Sequence, residues 1–428
     1  MTLDRTLAPE PAPLSAPPQP LVETAQLANG APVYLVRFGD MPVVDCSVVS
    51  WAGTVYEAKP NATGYVAKML LEGAGTRDAA AYAETLDELG ASVSFRNGFE
   101  TFSANLSCLT ERFDEAVELL ADAIYRPHFP AEKFELQRSR ERQALSVQAQ
   151  RTEFHARRLF RAKLWGESHP YGRSTSLETV DALELADVVQ HHQNWVKPSN
   201  AYYVVAGQFE PEAVLAQLNR VFGADVIVDP PVPNLPAPPV ADGGFMAYDM
   251  PNKQQATLRL GLRTAGRDHP DYHALQLLTT VLGGYFGSRL MSNLREEKGF
   301  TYGIGAQWSA MRHGGLFVIG TDVGAAYTQP ALAEIRHELV RLRKEPLPER
   351  ELAVARNYRI GRLLMSQETP FQVGERVKSW VANGVAFDDV QVAYDTLQRT
   401  TPSDLHRLAQ VYLDPDAMTT VVAGPPTA

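Results

Sequence analysis

Few residue groupings in this chain have the types and spacing that chemistry needs. His269 and His273 stand four apart, which would put two imidazoles on one face of a helix beginning near Pro270, as a metal pair requires. The carboxylates beside them, Asp268 and Asp271, belong to that helix start, so a solvated first turn is the expectation. His191 and His192 are adjacent and point to different sides of a helix, which suits packing or the surface better than chelation. Cys46 and Cys108 fall in strand-like stretches at a separation matching no ligand pair, and read as buried free thiols. Gly283, Gly284 and Gly287 lie between two predicted helices. Either a substrate backbone approaches closely there, or the chain turns with positive φ. They form no phosphate loop, because the order strand, glycine-rich turn, Lys-Ser/Thr is missing around them. No serine stands in a Gly-x-Ser-x-Gly context, so no nucleophile triad can be assembled.

The elements that would hold such residues number enough for two domains, since 428 residues exceed what one core usually fills. A formal charge of −10 argues against a nucleic-acid partner, which needs a basic face to neutralise phosphates. No segment has the apolar length to span a bilayer, and the first twenty residues lack a signal-peptide core, so a cytoplasmic location is expected. Residues 1–21, rich in proline and alanine, read as a flexible tail. Six prolines in residues 227–244 favour a stiff, extended linker between domains at 22–226 and 245–428. The charge-dense stretch from Glu132 to Lys163 interleaves both signs and reads as a solvated face.

The two halves echo each other. Phe129-Pro130-Ala131-Glu132 opens a long charged helix, and Leu347-Pro348-Glu349-Arg350 opens another 218 residues later. Val204-Val205-Ala206-Gly207 closes a strand, and Val421-Val422-Ala423-Gly424 closes another 217 residues on. Two echoes at nearly one offset imply a duplicated unit. In the first unit, strands are expected at 32–38 and 43–52, and helices at 62–72 and 79–89. Phe102, Ala104, Leu106 and Cys108 alternate as a one-sided strand, and Phe113, Ala116, Val117, Leu120 and Ile124 follow helical spacing. In the second, Leu258, Leu260 and Leu262 alternate, Asp268 and Ser288 read as helix caps, and strands follow at 300–311 and 314–323. Strands and helices run in groups, which predicts an α+β fold of two homologous domains. Each would be a mainly antiparallel sheet with helices packed on one face.

The segment LGGYFGSRLMSNLREEKGFTYGIGAQW from Leu282, with AGRDHPDYHALQLLTTVLGG before it and HGGLFVIGTDV after it, resembles the second-domain signature of the M16 zinc peptidases, the pitrilysin and processing-peptidase group. SHPYGRSTSLETVDAL and HHQNWVKPSNAYYVVAGQF resemble the same family in the first half, so the likeness spans residues 22–424. The family's zinc site is His-x-x-Glu-His on a first-domain helix plus a distant glutamate; a helix presents residues three or four apart on one face to a tetrahedral ion, and the motif's glutamate serves as general base.

The stretch in that place here, NATGYVAKMLLEGAG, has no histidine, and the first histidine of the chain is His128. Glu141, near where the third ligand would fall, is expected to be an exposed charge. The resemblance therefore implies a non-catalytic subunit with no cofactor of its own, paired with a His-x-x-Glu-His subunit that carries the zinc. It also implies an arginine and a tyrosine, matched by Arg295 and Tyr302, on a helix and the following strand, reaching the substrate in the partner's site alongside Gly283 and Gly284. Guanidinium and phenol both donate hydrogen bonds to carbonyl oxygens, and a pre-positioned donor to a developing oxyanion contributes roughly 3–4 kcal/mol. Beside this peptide-holding role stand a scaffold subunit with no part in proteolysis, and a homodimer when the chain is alone.

Overall fold

A computed structural model describes residues 14–224, 226–229, 232–240 and 243–426. In chain order its principal strands are β1 (Glu23–Gln26), β2 (Pro32–Arg37), β3 (Val43–Ser50), β4 (Ser92–Asn97), β5 (Phe102–Leu109) and β6 (Ala201–Gly207) in the first half. The second half has β7 (Gly244–Asp249), β8 (Gln255–Thr264), β9 (Ile304–Met311), β10 (Gly314–Gly324) and β11 (Thr419–Gly424). The first set forms one sheet in the order β1-β2-β6-β3-β5-β4, and the second forms another in the order β7-β11-β8-β10-β9. With β1 set aside the orders are the same. Each sheet has one parallel pair, β2 with β6 and β7 with β11, and is otherwise antiparallel.

The helices repeat with the strands. After β5 come Phe113–Tyr125, Ala131–Gln148, Thr152–Trp165, Leu177–Asp181 and Leu185–Trp195; after β10 come Thr328–Lys344, Glu349–Met365, Pro370–Asn383, Asp389–Arg399 and Pro402–Tyr412. The second helix of each series starts one residue after a proline held extended, Pro130 and Pro348, which is where the sequence echo lay. Along β5 the side chains of Phe102, Ala104, Leu106 and Cys108 are buried and those between are not, as period-two alternation requires. Phe113, Ala116, Val117, Leu120 and Ile124 turn one face of their helix onto the same core.

Each domain's own helices cover one face of its sheet. The other face is covered by a helix from the opposite domain. Thr152–Trp165, third of the first series, lies on β8 and β11, where Ala156, Phe160 and Leu164 share a cluster with Val421 and Ala423. Pro370–Asn383, third of the second series, lies on β2 and β6, where Val373, Val377 and Trp380 meet Val36, Tyr202, Val204 and Ala206. The approach is close: a Cβ at Gly374 would stand 3.0 Å from the Ala206 Cβ. The domains thus exchange equivalent helices, and their interface is built like a core.

Several local expectations shift. The helix predicted to begin at Asp268 spans Tyr272–Thr279 with Asp271 at its N-cap, because His269 first closes a turn on Gly266 and its Nδ1 accepts the Asp271 amide at 3.1 Å. His273 is not in a solvated turn. Its Nε2 donates to Asp389 at 2.8 Å, and Arg267 and the Trp380 indole donate to the same carboxylate at 2.6 and 3.2 Å. Of the predicted tail, residues 1–13 lie outside the described residues, but Leu14 packs on the second-domain core and Pro17 is buried, so its last part is docked.

Residues 230, 231, 241 and 242 of the predicted linker also lie outside the described residues. The rest touches both domains. Val228 donates to the Ser199 carbonyl at 2.8 Å, and Pro239 accepts from Arg263 at 2.7 Å. The last linker residue, Gly244, already starts β7. Cys46 and Cys108 are buried free thiols. Among the described residues no helix is long and apolar enough to cross a membrane.

Two outcomes follow. Trp380→Ala removes an indole from the shared core and is expected to cost about 4 kcal/mol. Urea unfolding followed by fluorescence and circular dichroism should shift as one transition, whereas two separated transitions would contradict a shared core. Burial alone would raise the Asp389 pKa, but His273 and Arg267 outweigh it and hold the carboxylate down at about 2. Its stabilisation is complete above the ordinary aspartate value near 4 and is lost as pH falls towards 2, by on the order of 2 kcal/mol. In Asp389→Asn the stability-against-pH slope across that window should flatten.

Candidate functional site

In the first domain, helix Ala62–Met69 packs Ala62, Tyr65, Val66 and Met69 inward. Its start is fixed from two sides. Glu57 accepts the Thr63 amide at 3.0 Å and the Arg173 guanidinium at 2.8 Å. The Thr63 hydroxyl donates to the Ala52 carbonyl, while His191 Nε2 lies 2.7 Å from that hydroxyl and 3.1 Å from that carbonyl. Burial pulls the His191 pKa down to about 4, so its imidazole is neutral and serves as a strut. His192 reaches the Ile124 carbonyl instead, at 2.9 Å. Both histidines of this pair are buried packing groups.

The outward side of the helix faces a cavity of about 210 Å³ lined by Gly64, Lys68, Glu141, Arg161 and Arg173, among others. Gly64 and Lys68 are four apart, the spacing at which a helix would offer two metal ligands. Neither residue can bind zinc as placed, since one has no side chain and the other is a cationic amine. Lys68 makes an ion pair with Glu141, across from helix Ala131–Gln148. Glu141 is thus half-buried and ion-paired, not the exposed charge that the sequence suggested. Among the described residues no cluster of three or more histidine, cysteine or acidic side chains could hold a metal.

The loop His169–Arg173 contributes Pro170 and Arg173 to the cavity wall. Tyr171 hydrogen-bonds to Glu100, Arg161 Nε donates to the Tyr171 carbonyl at 2.7 Å, and Arg173 donates to the Thr54 carbonyl at 2.6 Å. Burial raises the Glu100 and Glu57 pKa values, and in each case a hydrogen bond or a guanidinium offsets part of the rise.

In the second domain, Arg295 sits on the wide-turned helical segment Met291–Glu297. Its guanidinium lies over the Phe286 ring, 4.5 Å from the centroid, which brings it against the glycine-rich loop. Phe286 is itself exposed, and its place beside Arg295 was not legible in the sequence. Tyr302 is not on the strand as expected but in the short link before β9, and is 91% exposed. Its neighbours are pinned: Thr301 donates to the Asp322 carbonyl at 2.7 Å, accepts from Thr321, and holds the Gly303 amide at 3.1 Å. An anchored backbone therefore carries a free phenol.

The glycines divide. None of Gly283, Gly284 and Gly287 has positive φ, so no turn here needs glycine's left-handed freedom, although the chain does turn at Gly287, where the Ser288 amide donates to the Tyr285 carbonyl at 3.1 Å. Gly283 is buried, and a Cβ there would stand 2.6 Å from the Ala306 amide, so its close approach is to β9 and not to a substrate. Gly284 and Gly287 are exposed. Arg289 clamps the loop to the neighbouring helix through two hydrogen bonds to Glu351, at 2.7 and 2.8 Å.

Two family descriptions match this arrangement in order: Insulinase (Peptidase family M16) over residues 40–175 and Peptidase M16 inactive domain over residues 182–358. The chain belongs to the M16 peptidase family. An uncharacterized zinc protease of Rickettsia felis is 24% identical over 373 residues, covering 84% of this chain and 87% of that protein. The crystal structure of a peptidase M16 inactive domain from Pseudomonas fluorescens superposes with a TM-score of 0.88 at 23% identity, over 95% of this chain and 99% of that one. The periplasmic protease PqqL of Escherichia coli gives 0.80 at 17% identity; all of this chain matches 48% of it.

The cavity geometry makes a direct prediction. A Cβ added at Gly64 would meet nothing nearer than Asn97 Nδ2, at 4.0 Å. Gly64→His combined with Lys68→His would place two imidazoles beside Glu141 and is expected to confer zinc binding at micromolar concentration. Calorimetric titration with zinc should show one site. No heat from a folded double variant would mean that Glu141 does not face these positions.

Proposed function

We propose that this chain is the zinc-free, peptide-holding subunit of a two-chain M16 peptidase, completing the active site of a partner that bears His-x-x-Glu-His. The observation that carries the reading is the contrast between the two domains. Where the first would need ligands it has Gly64 and a Lys68–Glu141 ion pair. In the second, Tyr302 stands out from a pinned backbone and Arg295 is steadied by Phe286 without a carboxylate partner among the described residues. A pure scaffold has no use for a phenol held this way.

In this reading zinc and the general base belong to the partner, and the peptide adds a strand to a sheet edge of the partner's catalytic domain. Arg295 and Tyr302 donate hydrogen bonds to the peptide carbonyls and to the charge that develops at the scissile one. The helices exchanged between the two sheets supply rigidity, so both donors are held in place before substrate arrives.

The test is hydrolysis of a mixed fluorogenic peptide pool by this chain alone and after co-expression with a His-x-x-Glu-His subunit. Silence alone and chelator-sensitive cleavage by the pair are expected. Tyr302→Phe should lower the pair's turnover roughly a hundredfold while leaving assembly intact on size-exclusion chromatography. A well-formed pair that cleaves nothing would favour the scaffold role, and cleavage by this chain alone would require a second active site.

A further inference from the structure

The second domain gathers more positive charge around helix Pro370–Asn383 than it cancels. Arg376, on that helix, has Arg267 and Arg359 as charged neighbours, and Asp389 is the carboxylate that opposes them. Asp389 takes Arg267 at 2.6 Å and stands 3.9 Å from Arg376. Its remaining capacity goes to His273 at 2.8 Å and to the Trp380 indole at 3.2 Å. Arg359 has no share in it. The groups acting on the Arg359 charge are Tyr272, Tyr358 and Arg362, none of them a carboxylate. Among the described residues its side chain has neither an ion pair nor a hydrogen bond, and its Nε is buried without a partner. Three guanidiniums against one carboxylate leave two positive charges uncompensated, before His273 is counted.

Direct contacts hold these residues together. The Arg267 guanidinium lies over the Tyr272 ring, 3.8 Å from its centroid, and the same tyrosine acts on the charges of Arg359 and Arg376. Arg376 Nη1 donates to Ser366 Oγ at 2.7 Å, at the end of helix Glu349–Met365, which carries Arg359. The Arg267 and Arg376 side chains keep 15% and 24% of their surface exposed, so ions from solvent reach the cluster. Burial and repulsion between the arginines disfavour the charges on Arg359 and Arg376, and an arriving anion would relieve that cost.

We propose that the Arg267–Arg359–Arg376 cluster is a binding site for a phosphate dianion, either free phosphate or the phosphoryl group of a monoester. Two surplus positive charges match a dianion, whereas chloride or a carboxylate would leave one unmatched. Guanidinium forks also fit phosphate oxygens, to which they donate in pairs. Arg359 brings its terminal nitrogens, and Arg267 brings the nitrogens it does not spend on Asp389. A bound dianion would tie helix Glu349–Met365 to Pro370–Asn383, the helix that crosses to the first sheet, and so strengthen the contact between domains. The site uses neither Arg295 nor Tyr302, and binding does not depend on a catalytic partner.

The experiment is calorimetric titration of the full chain with inorganic phosphate and with phenyl phosphate, at a pH where both are dianions. Thermal melting is followed in parallel, with chloride at matched ionic strength as the control. One saturable site is expected at submillimolar concentration, and the tighter of the two probes tells a free-phosphate site from a monoester site. The melting temperature should rise with that probe and not with chloride. Arg359→Gln removes no ion pair or hydrogen bond, so it should fold as the parent does and weaken the probe by roughly tenfold or more. Arg359→Lys keeps the charge and loses the fork, so it should weaken binding severalfold; it keeps the test decisive if Arg359→Gln does not fold. No saturable binding of either probe at millimolar concentration would overturn the proposal. So would undiminished binding in a folded Arg359→Gln or in Arg359→Lys, or an equal rise in melting temperature with chloride, which would mark simple screening of the repulsion.

Discussion

Neither sheet of this protein can bury both its faces with its own domain's helices. β2 and β6 expose Val36, Tyr202, Val204 and Ala206 on the side away from the first domain's helices, and Val421 and Ala423 of β11 do the same in the second. The remedy is reciprocal: the third helix of each series crosses to the other sheet. Six or seven large apolar side chains at roughly 2 kcal/mol each make this contact comparable to the stability of a domain. The domains are therefore fixed in relative orientation, and everything the surface presents inherits that rigidity.

The exchanged helices also carry polar ties that a hydrophobic seam alone would not provide. Lys378, on the helix that crosses to the first sheet, donates to Ser47 and Asn105 of β3 and β5 at 3.2 and 3.0 Å and is balanced by Glu375 at 2.6 Å. Trp380 on the same helix donates to Asp389, which also gathers Arg267 and His273. A buried carboxylate with three donors is held ionised, and removing one of them leaves a buried acceptor less well satisfied. These ties fix the register of the crossing helix as well as its presence.

Duplication gave the two domains the same frame and different surfaces. In the first, the helix facing the cavity carries a glycine and a lysine at the spacing of a ligand pair, and that lysine is spent on Glu141 of the neighbouring helix. In the second, the corresponding region contains two wide-turned segments, Thr280–Gly284 and Met291–Glu297, and the exposed Phe286 between them lies under Arg295. One domain thus closed its polar site inward while the other turned aromatic and cationic groups to solvent.

The sequence by itself determined the α+β class, the duplication, the family and the lack of histidine before His128. Those features rest on short-range rules: period-two alternation in β5, a proline ahead of a helix, motifs read in order. It also placed Arg295, Tyr302, Gly283 and Gly284 in one segment. Only the tertiary structure decided which of these are available. Gly283 is consumed by the backbone of Ala306, and Tyr302 is free because Thr301 anchors the link to β10. The pairing of Lys68 with Glu141, of His273 with Asp389, and the crossing of Pro370–Asn383 onto β2 and β6 join residues 73, 116 and more than 160 positions apart. Local propensity contains no term for such partners. They meet because the sheets twist and stack in one way that buries both faces, and that choice is made by the whole chain.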